Sequence, residues 1–102
     1  ENLSSRLTNV MSGVSVTLIR FGKTMYVRAT ANSSANLESG WNTLAVVPTG
    51  YRPSVGTIYG MGMAPTTTTL CETGVTQIGG IQIWSSANSS ASLRLNMVYP
   101  IV

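Results

Sequence analysis

Two tryptophans, five arginines, three glutamates and one cysteine are the side chains on which any chemistry of this 102-residue chain has to rest. There is no histidine and no aspartate. A Ser-His-Asp or Cys-His arrangement therefore cannot be built, and neither Cys71 nor any serine has an activating base. Glu38 and Glu72 are the only carboxylates away from the chain start. Glycoside hydrolysis would need them about 5 to 10 Å apart, and nothing in the sequence arranges that. No two potential metal ligands fall at motif spacing, so neither a metal nor a cofactor is expected. The glycine clusters Gly60-Met61-Gly62 and Gly79-Gly80 match no phosphate-cradling pattern and read as bulges or turns. Catalysis is not expected, and Cys71 reads as a small buried apolar side chain.

Binding is the chemistry that remains. In Ile81-Gln82-Ile83-Trp84 and in Ser92-Leu93-Arg94-Leu95-Asn96-Met97, apolar and polar residues alternate. Strand alternation puts Ile81, Ile83, Leu93, Leu95 and Met97 on a core face, with Gln82, Trp84, Ser92, Arg94 and Asn96 outward. If the two strands form a hairpin around Ser86 to Ser90, Ile83 pairs with Leu93, Gln82 with Arg94 and Trp84 with Ser92. That face would hold a stacking plate and several hydrogen-bond donors beside a Ser/Asn-rich loop, a combination suited to the C–H face and hydroxyl rim of a sugar. The Arg94 guanidinium fork also suits a phosphate. The competing reading covers Trp84 with a neighbouring strand or subunit. Trp41 is expected to pack on the core edge, and Arg20 and Arg28 to stand in solvent at strand ends.

The elements that must position these residues are strands. β-branched residues and alternation recur, and no long stretch keeps a 3.6-residue period. Strands are predicted at 14–20, 24–31, 42–47, 54–63, 67–72, 79–85 and 91–99, with Gly22 shaping a first hairpin. Turn residues punctuate 32–36, 48–53, 64–65 and 86–90. The fold class is all-β, a single small antiparallel β-barrel or sandwich of about six or seven strands. Leu3, Leu7, Val10 and Val14 have a 4-3-4 spacing, so residues 1–13 read as the end of a stalk or neck, or as a linker, and 14–102 as the barrel. The near-repeat of 31–37 in 87–93 suggests similar loops, and its Asn-Ser-Ser sequons carry no assigned role.

Charged residues make up 9% of the chain, far below the quarter usual for soluble domains. Such a surface is either rich in Ser, Thr and Asn or partly hidden in an assembly. A net charge of +3 with Lys23 as the only lysine does not suggest a nucleic-acid partner. No apolar stretch approaches the roughly 20 residues that insert across a bilayer as a helix. Glu1 is followed by no signal pattern, so the chain reads as a piece of a longer protein.

Gly40-Trp41-Asn42, the stretch Pro48-Thr49-Gly50-Tyr51-Arg52-Pro53, a polar segment carrying Trp84 and a strand ending near Tyr99-Pro100-Ile101 resemble the receptor-binding heads of siphophage baseplates, best known from lactococcal phages. Val16 to Gly22 leading into Met25 to Arg28 is similar to their opening hairpin. The resemblance implies a homotrimer at the virion tail tip, outside the cell. It would adsorb to cell-wall polysaccharide or phosphosaccharide of a Gram-positive host and join other baseplate proteins through the N-terminal part. It also implies that Trp84 and Arg94 line the saccharide site with Gln82. The family's histidine and aspartate are missing here, and Glu72 is the stand-in within Leu70 to Thr73. Two alternatives are a trimeric cap of a tail fibre without its own ligand, and a glycan-cleaving enzyme using Glu38 and Glu72.

Overall fold

The computed structural model describes residues 1–101, so Val102, the last residue of the expected barrel, lies outside the described residues. Seven antiparallel strands are formed: β1 Ser15–Phe21, β2 Thr24–Leu37, β3 Gly40–Val46, β4 Ile58–Met63, β5 Leu70–Val75, β6 Gly80–Ser85 and β7 Ser89–Pro100. One curled sheet in the order β1-β2-β7-β4-β5-β6-β3 contains them all. The first hairpin closes Phe21 onto Thr24 through Gly22 and Lys23. Gly22 has φ 60°, and a glycine at the first central position is what a type II′ turn needs.

The curled sheet wraps a core of inward residues from every strand, among them Leu18, Val27, Leu44, Val75, Ile83, Leu95 and Tyr99, each 0 or 1% exposed. Tyr99 is tolerated there because its hydroxyl donates to the Tyr51 carbonyl at 2.7 Å. On β4 the inward positions are glycines, and Gly62 permits a close approach: a Cβ there would meet the Arg94 carbonyl at 2.6 Å. The flanking residues Tyr59, Met61 and Met63 consequently point outward.

The sheet's two edges are β1 and β3, and the segment before β1 spans the opening between them. Asn2 bridges to Ile19, with the Leu3 amide donating to Leu18, so this part lies along β1. Thr8 exchanges both backbone hydrogen bonds with Val46, and the Met11 amide donates to Leu44 on β3. Leu3 is 2% exposed beneath this strap, whereas Val10 is exposed. The strap covers the row of unpaired backbone groups that each edge would otherwise present.

Two sequence expectations change. The predicted turn at 32–36 is instead a bulged continuation of β2, in which the register against β7 shifts between Ala31 and Ala35. Ala35 and Leu37 are buried and hold the extension in place. The expected hairpin of β6 with β7 is not formed: β6 pairs with β3 and β5, and β7 with β2 and β4. From Ser85 to Ser89 the chain reaches about 14 Å at most. That suffices to arch over the roughly 10 Å between packed faces, so a short link here joins strands across the core.

Candidate functional site

The ladder registers fix the outer face residue by residue. Trp84 on β6 stands directly opposite Trp41 on β3, and Gln82 opposite Thr43. Thr73 pairs with Ile83, so one further step sets Glu72 beside Trp84, and Met61 pairs with Glu72 on the other side. A transverse row Trp41, Trp84, Glu72, Met61 therefore crosses four strands. Trp84 is 40% exposed and Trp41 45%, so each indole presents a large apolar area to solvent.

Tyr59, more exposed still, leans over Gly74, its Cδ1 3.6 Å from the place a Cβ would occupy. The missing side chain lets its ring come within 6.5 Å of the Trp41 ring at an interplanar angle of 49°. Tilted pairs at this spacing are attractive, which steadies both rings without burying them. The Gln82 amide lies 3.4 Å from the Thr43 hydroxyl. Beside the rings the Glu72 carboxylate is exposed, and the sole ion pair among the described residues joins Arg20 to Glu1 elsewhere. The arrangement offers three aromatic faces with an acceptor and an amide at their edge.

Arg94 is placed apart from this group. On the outer face it pairs with Met63 of β4 and Thr30 of β2. Since β5 and β4 separate β6 from β7, Trp84 and Arg94 stand three strand spacings, about 14 Å, apart along the sheet. Thus Trp84, Gln82 and Glu72 are brought together on neighbouring strands, and Arg94 stands on a strand apart from them. Between them lies a cleft of about 430 Å³ whose apolar walls are Met61, Met63 and Leu70, with Arg94 and Asn96 at its rim. Asn96 is held there, its Oδ1 accepting from the Tyr26 hydroxyl at 2.8 Å.

Sequence reasoning missed Trp41 and Tyr59 as exposed rings. Trp41 was expected to pack on the core edge, but it stands on the outer face and Asn42 takes the inward position. Its side chain satisfies itself on the backbone of Glu38 and Gly40 at 2.9 to 3.1 Å. The signal for Tyr59 was Tyr59-Gly60-Met61-Gly62-Met63, a strict alternation whose small members face in. Arg28, expected near a strand end, stands mid-strand between Thr17 and Asn96. Cys71 is buried on β5, and burial pushes its thiol pKa up, which suits packing and not nucleophilic attack. Among the described residues, no three His, Cys, Asp or Glu side chains cluster as metal ligands would.

No protein-family model matches the chain, and no curated protein does. The fold is similar to the head domain of the lactococcal phage bIL170, solved in a study of whether the receptor-binding domains of lactococcal phages share a common fold. The TM-score is 0.61 at 12% sequence identity, covering 94% of this chain and 97% of that one.

Proposed function

We propose that this domain is a phage receptor-binding head that recognises host cell-wall saccharide and carries out no reaction on it. Trp84, with Gln82 and Glu72, forms the stacking part of the site, and Arg94 serves a more distant portion of an extended ligand. The observation that carries this reading is the open aromatic row. Two opposed tryptophans and a tyrosine stand on the sheet's outer face, backed by the core and edged by hydrogen-bonding groups. The likeness to the bIL170 head supports a receptor-binding role of a virion tail protein. A homotrimer, a Gram-positive host, a phosphosaccharide ligand and attachment to other baseplate proteins through an N-terminal part belong to the same proposal.

A second reading, a structural cap, is favoured by the apolar run of Trp41, Trp84, Met61, Tyr59 and Leu70, since contiguous exposed apolar area also marks subunit contacts. The two readings separate on tryptophan fluorescence titrated with purified cell-wall polysaccharide. Receptor binding predicts saturable quenching that survives Trp41→Phe and vanishes in folded Trp84→Phe. A cap predicts no response to walls of several Gram-positive hosts, with Trp84 emission that changes on dilution as subunits part.

A further inference from the structure

Of the five arginines, three are committed within the chain. Arg20 pairs with Glu1 at 3.0 Å, Arg52 donates Nε–H to the Val47 carbonyl at 2.8 Å, and Arg6 donates to the Tyr51 hydroxyl at 3.3 Å. Arg28 and Arg94 have no such partner among the described residues, yet they are neighbours. Arg28 pairs with Asn96 and Thr30 with Arg94, so the two arginines are diagonal on adjacent strands, about 7 Å apart at Cβ and within reach of one shared group. Two unpaired like charges so placed repel, and an anion between them turns that repulsion into two charge-assisted contacts.

The surroundings supply further donors. Ser15 pairs with Thr30, which pairs with Arg94, so two hydroxyls line up beside the guanidinium across three strands. Both arginines, both hydroxyls and the Asn32 amide line one polar cleft of about 500 Å³. Its far wall is the β2 bulge, where Ser33 has φ 57°, a left-handed conformation that costs energy outside glycine. The Ser33 amide donates to the Ser92 hydroxyl at 2.9 Å, and the Ser34 hydroxyl to the Gly13 carbonyl at 2.7 Å. The wall is therefore fixed before any ligand arrives.

We infer that this cleft is an oxyanion subsite in which Arg28 and Arg94 together hold a phosphate group of the ligand, with Ser15, Thr30 and Asn32 donating to its remaining oxygens. Donors on several sides suit a tetrahedral oxyanion better than a planar carboxylate. The inference rests on the receptor-binding reading for its ligand being a glycan, and it adds Arg28 and a second location to that reading.

The test is titration of the domain with inorganic phosphate and with dimethyl phosphate at constant ionic strength, following the arginine Nε–H resonances, with acetate as the planar control. Saturable shifts with one shared midpoint at Arg28 and Arg94, weakened about tenfold or more in Arg28→Gln and in Arg94→Gln, are expected. Equal linear drift of all five arginines, unchanged affinity in folded Arg28→Gln, or acetate binding as tightly as phosphate would overturn it. Polysaccharide quenching of Trp84 is followed in parallel. Quenching without phosphate binding sinks the subsite and spares the receptor reading; phosphate binding without quenching does the reverse.

Discussion

Replacing Trp84 by alanine is expected to weaken saccharide binding by about 10- to 60-fold while leaving the barrel folded, and the range follows from the exposure of the ring. A tryptophan buries up to about 250 Å², so the 40% of Trp84 that is free leaves about 100 Å² for a ligand to cover. Full coverage is worth about 2.5 kcal/mol, or about 60-fold in Kd. A sugar stacked on one indole face covers about half of that area, which corresponds to about tenfold. The core is spared because Ile81 and Ile83, not Trp84, face inward on β6. The assay is calorimetric titration with cell-wall polysaccharide, with far-UV circular dichroism as the folding control. A folded variant whose affinity falls by less than about threefold would refute the reasoning, because no ligand covering the Trp41–Trp84 row can leave that area unused.

Three other outcomes test the structure more broadly. The Thr73 hydroxyl is buried without a partner, so Thr73→Val is expected to stabilise the domain by about 1 kcal/mol and to raise Tm by about 5 °C in calorimetry. Gly62→Ala forces a methyl against the Arg94 carbonyl and the Thr73 methyl. It is expected to cost about 1–3 kcal/mol in urea unfolding and to shift the backbone amides around Arg94. Burial raises the Tyr99 phenol above its ordinary 10.0. The folded state thus keeps the proton that the unfolded chain releases, so this contribution is intact below pH 10 and is lost as the pH rises above it. Denaturation midpoints of the wild type should fall between pH 9 and 11. Tyr99→Phe should start about 1 kcal/mol lower from the lost bond to Tyr51 and fall less steeply.

Strand positions were legible because alternation is a local property: Leu18, Val27, Ile83 and Leu95 declare their inward face within a few residues of chain. Strand neighbours were not. The Ser86 to Asn88 link has the composition of a hairpin turn, and only the partners competing for β6 and β7 decide against one. Trp84 and Gln82 could be placed together from their own strand, and Glu72 joined them only on the resemblance. Arg94 was put beside Gln82 by the assumed hairpin, and the true order removes it to the neighbourhood of Arg28. Trp41 was misread because an inward asparagine is admissible only when its amide is satisfied, and the partners, Glu38 and Gly40, are backbone groups that composition does not reveal. The 32–36 stretch looks like a turn by residue type, yet burial of Ala35 and Leu37 outweighs that local preference.

The position of β7 in the sheet has a consequence in time. It is the last of the seven strands in chain order, yet it lies between β2 and β4, near the middle of the sheet. Until it arrives, β2 and the β4–β5–β6 meander have no ladder joining them, and each presents an open edge. The barrel therefore cannot be laid down progressively in chain order; it closes in one late step whose contacts bridge most of the sequence, which makes folding slow for so small a domain. A domain without β7 would keep two open strand edges, one on β2 and one on β4, each a template for pairing with another chain.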